Sequence, residues 1–472
     1  MVRVQALWLG LALGSGASAW AGQPGTATGV ADGEKTWDTR VSVSEEYRFR
    51  SASESPAPAG PSQAALSPQQ QDQDLRLLLQ GDSTDPSGRY RLSADMGAWW
   101  DIDGIADQGE VQGLRGMMDT RRLWWDVFTL NGQYQGQGWL REVKLGRQEA
   151  EHGVPVVFDG LSTRVAAVAR RVDLFVFGGR SVHFFSIANR PWEDWMASLG
   201  TALRLNDALR MEIDYRFLRE DVELFGNVKH EAIIDHTYGW TGWWRPTEWL
   251  WTRAEARGVD DKLSLLSSSV RLDHRPWMAG ANLFVGFQPM TLAEMNQLDN
   301  PYFSVLGESL AHMRWTLDLF KQLSLRSALL GFHLGWAGRM RLAGEEAVFN
   351  HNQARVYGLI EGSDLIWKGF SAGISCDDFY SPTRGAFAQD SFLAVGGFVR
   401  YEQARIRFEV ATSFQRYRYV YYRDVSELSD VRTVSGEFGV KLLSWVDLKL
   451  RYEFERFDRD VHTLTVALTQ SH

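Results

Sequence analysis

The chain has 472 residues, a formal charge of −9 and one cysteine, with 20 Trp, 14 Tyr and 25 Phe. A single Cys376 excludes an intramolecular disulfide, no Cys/His spacing of a metal site is present, and a mildly acidic balance gives no reason to expect a nucleic-acid partner. The mean hydropathy is −0.27, and beyond the N-terminus no run approaches the ~18 consecutive apolar residues of a membrane helix, which leaves a β-barrel as the membrane architecture compatible with this composition.

Residues 1–21 read as a secretory signal: Arg3 supplies the positive start, residues 6–13 the apolar core, and Ala17-Ser18-Ala19 or Ala19-Trp20-Ala21 the small-residue cleavage site. Residues 22–35 follow as a periplasmic segment, and 36–472 as an outer-membrane barrel. Segment 36–50 sets Val41, Val43, Tyr47 and Phe49 against Ser42, Ser44, Glu46, Arg48 and Arg50, with Glu45 breaking the apolar face. Residues 51–73, rich in Ser, Pro, Ala and Gln, bury too little apolar surface to order themselves and read as a mobile outer loop.

Period-two alternation continues at 75–81, 89–100, 121–130, 139–148, 161–169, 172–185, 197–206 and 209–220, and then at 231–243, 248–258, 263–274 and 279–288. It resumes at 311–320, 323–333, 355–361, 369–377, 391–403, 406–416, 433–443, 446–455 and 462–469. The clearest case is 446–455, where Val446, Leu448, Leu450, Tyr452 and Phe454 alternate with Asp447, Lys449, Arg451, Glu453 and Glu455. Side chains on a strand alternate faces, so each such segment has one face for lipid and one for water. Short connections (206–207, 245–246, 321–322, 403–404, 444–445) alternate with long ones (101–120, 149–160, 289–307, 334–353, 378–390), as short periplasmic turns and long outer loops do. The expected fold is all-β, a transmembrane antiparallel up-and-down barrel with an even strand number, 22 by segment count or 18 if some segments are loop hairpins.

Assigning the charged faces to the lumen gives the candidate pore-lining residues Arg48, Arg50, Arg210, Glu212, Asp214, Arg216, Arg405, Arg407, Glu409, Lys449, Arg451 and Glu453, with Glu46 and Glu455 beside them. This wall mixes signs. Arg147, with Asp159 as its partner, joins the pore-lining candidates on the expectation that a bulge at Gly146 turns Arg147 inward; the alternative is an Arg147 that stays at the membrane interface and snorkels, the pair only pegging the local loop. Tyr417, Tyr419 and Tyr421 read as sugar-stacking rings at the outer mouth or as an aromatic girdle, and Trp240, Trp243, Trp244, Trp249 and Trp251 as an inner girdle. Cys376 reads as a small buried or lumen-facing filler.

The stretch 143–179 carries Gly146-Arg147-Gln148, then Phe158-Asp159-Gly160, then Val172-Asp173-Leu174-Phe175. It resembles the alginate-export family of outer-membrane porins. That resemblance implies a barrel of about 18 strands, with a lumen rich in Arg and Lys, that passes an anionic polysaccharide; such a conduit would also need a periplasmic export partner. The residues alone leave three readings: a polysaccharide export conduit, a general or nutrient-uptake porin, and a closed structural or partner-sheathing barrel. No GxSxG or HExxH motif occurs, so neither an enzyme nor a metal or organic cofactor is expected. The expected location is the outer membrane of a Gram-negative cell, with membrane lipid as the constant partner.

Overall fold

A strand with one apolar and one charged face cannot stand alone in a membrane, because hydrocarbon supplies no water to its edge N–H and C=O groups. In the computed structural model the chain meets this requirement by closing 22 antiparallel strands on themselves. The residues described are 37–52, 71–102, 123–150, 156–167, 171–182, 194–221, 232–289, 311–326, 328–343, 352–381, 391–422, 425–456 and 460–471. The strands are β1 (Asp38–Ala52), β2 (Gln71–Thr84), β3 (Tyr90–Asp101), β4 (Leu123–Gln135), β5 (Leu140–Glu149), β6 (Val157–Ala166), β7 (Val172–Ser181) and β8 (Trp195–Arg204). They continue with β9 (Leu209–Asp221), β10 (Ala232–Thr247), β11 (Leu250–Val259), β12 (Lys262–His274), β13 (Ala279–Gln288), β14 (His312–Leu325) and β15 (Ala328–Arg341). The last seven are β16 (Gln353–Ser363), β17 (Phe370–Tyr380), β18 (Ser391–Gln403), β19 (Ile406–Tyr422), β20 (Val425–Leu443), β21 (Val446–Arg456) and β22 (Asp460–Ser471).

Each strand pairs with its sequence neighbours, and β1 closes on β22 from Ser42 opposite Ser471 to Ala52 opposite Val461. The 22-strand count stands, and the 18 strands implied by the family resemblance do not. Among the described residues no helix is long and apolar enough to cross a membrane.

The register fixes the two faces. Val43, Tyr47 and Phe49 of β1 lie opposite Leu79, Leu75 and Gln73 on one side and Gln470, Val466 and Leu464 on the other. The same face continues through exposed Trp125, Leu145, Leu199, Leu334, Ile360 and Val434. So large an apolar surface belongs on the outside against hydrocarbon, and the charged face lines the interior. The chain is thus a barrel of the outer membrane of Gram-negative cells. Glu45 interrupts the outer face between Leu77 and Leu468. Cys376 is exposed on it, between Gly358 and Val395, and is neither buried nor lumen-facing.

The connections that follow even-numbered strands are all short, and both barrel ends of the chain, the start of β1 and the finish of β22, lie on that side. At the β2–β3 turn Asp85 accepts backbone hydrogen bonds from Ser87, Arg89 and Tyr90, while Gly88 takes φ +68°. Trp139, Trp249, Trp277, Trp367 and Trp445, all exposed, cluster at these short turns as a girdle. Two expected turns shift. Lys321 and Gln322 belong to β14, whose turn comes at Arg326 (φ +54°). Arg245 and Pro246 belong to β10, where the ladder with β11 slips between Trp244 and Thr247, since proline has no N–H to donate.

The expected signal sequence (1–21), the periplasmic segment (22–35) and most of the expected outer loop (51–73) lie outside the described residues; 51–52 and 71–73 are strand.

Candidate solute-conducting inner wall

On β18–β22 the inner face carries a chain of ion pairs running around the barrel. Arg400 Nε donates to Glu409 Oε2 at 2.7 Å, and Arg407 Nη2 reaches the same oxygen at 3.2 Å. Glu437 lies 3.8 Å from Arg407 and 2.9 Å from Lys449 Nζ, and Arg451 Nη2 donates to Glu453 at 2.6 Å. Past the closure, Arg48 on β1 donates to Asp74 on β2 at 2.6 Å, and Arg50 lies opposite Thr463 on β22. Glu46, Lys449, Arg451, Glu453, Thr463, Thr465 and Ala467 line an open recess of ≈ 270 Å³ along this wall.

The two signs do not reach equally far. Aspartate and glutamate are short, so their carboxylates stay low against the sheet, whereas Lys and Arg carry their charge on long stems into the lumen. Side-chain exposure is 17% for Glu437 against 51% for Lys449, 8% for Glu212 against 47% for its partner Arg210, and 10% for Glu142 against 36% for Arg164. Arg355 over Asp377 and Arg253 over Glu255 follow the same pattern. At these pairs a wall of mixed formal charge presents cationic ends to the water inside, whereas Arg216 and Arg257 are buried.

The inner face of β5–β11 is packed with side chains. Phe158, Phe175, Phe177, Met196 and Leu218 form a buried apolar cluster, with the Phe158 and Phe177 rings stacked at 5.3 Å between centroids. By the alternation of β6–β9 these residues share the inner face with Arg216, whose guanidinium lies 5.5 Å from the Phe177 ring. Beside it Arg257 joins Asp214 at 3.5 Å to Glu255 at 2.5 Å. Trp243, expected in a girdle, instead lies between Arg210 and Arg253, 5.1 and 5.8 Å from its ring.

Thus Arg48, Arg50, Arg210, Glu212, Asp214, Arg216, Arg407, Glu409, Lys449, Arg451 and Glu453 all fall on the inner face. Arg405 sits in the β18–β19 turn, and its carbonyl accepts the Lys441 amide at 2.8 Å. Tyr417, Tyr419 and Tyr421 belong to β19, but their side chains lie outside the described residues.

Arg147 and Asp159 differ from the expected inward placement. They alternate with Leu145 and Leu161 on the outer face, although Gly146 does adopt φ +120°. Arg147 Nε and Nη2 donate to the two Asp159 oxygens at 2.7 Å each, and Nη1 donates to the Val127 carbonyl at 3.0 Å. The reason lies in the sheet. Pairing of β4 with β5 runs only from Leu130 opposite Arg147 to Gln135 opposite Glu142, and Arg147 takes up a β4 carbonyl beyond that point. On the inner side Gln148 donates to the Gly160 carbonyl at 3.0 Å and accepts from Ser162 at 2.7 Å. The Gly-Arg-Gln and Phe-Asp-Gly residues are a clamp across β4, β5 and β6; the latter lie within β6, not in the expected 149–160 connection.

Sequence reasoning missed Glu437, Arg400, the Arg253-Glu255-Arg257 row and the Arg355–Asp377 pair, whose guanidinium donates at 2.5–3.1 Å. The signal was the same period of two. It was muted where the outer partners are small, as with Thr252, Ala254 and Ala256.

No family model and no curated protein matches the chain. Among solved structures it is similar to Pseudomonas aeruginosa OpdK with vanillate (9% identity, 92% of this chain and 99% of that one, TM-score 0.44). It is also similar to Pseudomonas aeruginosa OccK2 (OpdF) (11%, 92% and 98%, 0.43) and to a BenF-like porin from Pseudomonas fluorescens Pf-5 (10%, 92% and 99%, 0.44). The alginate-export resemblance is withdrawn: no family model matches the chain, and its 22 strands are not the 18 that the resemblance implies. What stands is the class, an outer-membrane β-barrel of 22 strands.

Proposed function

We propose that the protein is a passive uptake porin for small polar solutes, favouring anionic ones. The observation that carries this reading is the difference in reach on the inner wall, where Lys449, Arg451, Arg407 and Arg210 extend past the carboxylates that pair with them. Cationic ends above a low acidic layer raise the local concentration of anions without holding them tightly, which is what conduction requires. Polar Thr463 and Thr465 on β22 add hydroxyls to the same wall. The buried aromatic cluster on β6–β9 favours a second reading, a closed barrel.

Swelling of proteoliposomes in isosmotic solute separates the two. The porin reading expects rapid swelling in small sugars and faster swelling in small carboxylates than in amines of equal size. Absence of swelling in every solute would favour the closed barrel.

A further inference from the structure

The outer face of β19–β22 changes character at the end opposite the short turns. Up to Phe414, Val434, Phe454, Tyr452 and Leu464 it is apolar. One outward position further on β19–β21, and two on β22, it becomes charged: Arg416 and Asp430 are cross-strand partners, Arg432 faces Arg456, and Arg456 faces Asp460. This is where hydrocarbon gives way to headgroups, and because both barrel ends of the chain lie at the short-turn side, it is the extracellular leaflet.

Two of the three arginines are engaged. Arg416 makes a two-pronged pair with Asp430 at 2.8 and 3.1 Å, its guanidinium 5.6 Å from the Phe414 ring, and Arg456 Nε lies 3.7 Å from Asp460. Arg432 is exposed, lies near Asp430, and makes no ion pair among the described residues. It stands directly opposite Arg456, and like charges in a cross-strand pair destabilise a sheet unless an anion lies between them. His462, bonded to the Tyr452 hydroxyl at 2.8 Å, is the next outward side chain past Asp460 on β22. Similar rims recur on β5–β7, where Asp159 stands between Arg147 and Arg180 on adjacent strands.

We propose that Arg432 and Arg456, supported by Arg416, form a docking surface for the phosphate groups of the phosphorylated glycolipid of the outer leaflet. Two guanidinium groups at headgroup level, above a wall of exposed apolar side chains, match an anionic head on an acyl-chain body. The site is on the outer face and is independent of whether the lumen conducts.

The test uses the full chain in detergent, titrated with lipopolysaccharide bearing its lipid phosphates, with the same lipid after enzymatic dephosphorylation, and with phosphatidylglycerol. The expected result is at least tenfold weaker binding of the dephosphorylated lipid and of phosphatidylglycerol. An Arg432→Gln/Arg456→Gln variant is expected to lose at least tenfold toward the phosphorylated lipid, while Arg432→Lys retains most of the binding. Equal binding of phosphorylated and dephosphorylated lipid by the unaltered chain overturns the proposal, and that arm does not depend on any variant folding. Equal binding of phosphatidylglycerol, or unchanged binding by the folded double variant, overturns it too.

Discussion

Arg147 and Asp159 face each other across β5 and β6 through two parallel hydrogen bonds of 2.7 Å, on the lipid side of the wall. The third donor of that guanidinium holds the Val127 carbonyl, so the pair fastens a seam and does not touch the lumen. Replacing Arg147 by Ala removes all three bonds and leaves both acceptors without this donor. Because the pair is partly exposed, the expected loss is about 1 kcal/mol of barrel stability, read as a lower urea midpoint in lipid vesicles. Ion selectivity is expected to stay as it was; a change in selectivity would place Arg147 in the pore.

Glu45 is an acidic residue in the middle of an outward row, Val41-Val43-Glu45-Tyr47-Phe49, with Leu77 and Leu468 on either side. A carboxylate facing hydrocarbon is unfavourable, though less so than a base at the same depth. Glu45→Leu is therefore expected to stabilise the folded barrel by about 1–2 kcal/mol in vesicle unfolding. Destabilisation would mean that this face of β1 does not meet lipid.

Cys376 offers a direct check on which face is outside. Its side chain is exposed beside Gly358 and Val395 on the apolar face of β17. A nitroxide attached there is expected to be quenched efficiently by oxygen and poorly by a water-soluble nickel chelate. The reverse ranking would turn β17 around.

Much of this architecture was legible in the chain. Each of the 22 alternating segments marks a strand, because a wide barrel forces the same two-sided pattern on nearly every strand. Segment 446–455 shows it best, with five apolar residues against five charged ones. The inner-face parity of Arg48, Arg210, Glu409 and Lys449 followed from the same rule. What the sequence did not show was reach: alternation says which side a charge is on, and gives no hint that Lys449 stands proud of Glu437. Nor did it show the clamp. Gly146-Arg147-Gln148 resembled a family signature, while its physical role depends on where β4–β5 pairing stops, a property of three strands and not of one. The Arg245-Pro246 pair looked like a turn because proline breaks a ladder, and here it breaks one inside β10.

The β2–β3 turn predicts a pH response outside the membrane. Desolvation of Asp85 raises its carboxyl, but the Ser87 hydroxyl and the amides of Tyr90, Ser87 and Arg89 together outweigh it and hold the group at about 2 against an ordinary 3.8. A depressed carboxylate stabilises the turn at every pH above 3.8, and that contribution disappears as the pH falls toward 2. NMR titration of Asp85 is expected to give a midpoint near 2, and Asp85→Asn to remove the acid sensitivity of the turn. A midpoint at the ordinary value would contradict the hydrogen-bonded geometry.

The charge of the lumen is read from the reversal potential of single channels in a salt gradient, for the unaltered protein and for Arg400→Gln/Arg407→Gln/Lys449→Gln/Arg451→Gln. If the basic ends on β18–β21 govern the lumen, the unaltered channel prefers anions. The variant, left with Glu409, Glu437 and Glu453, then crosses to cation preference. A cation-preferring native channel, or a reversal potential that four lost charges do not move, would mean that these basic ends do not set the field in the lumen.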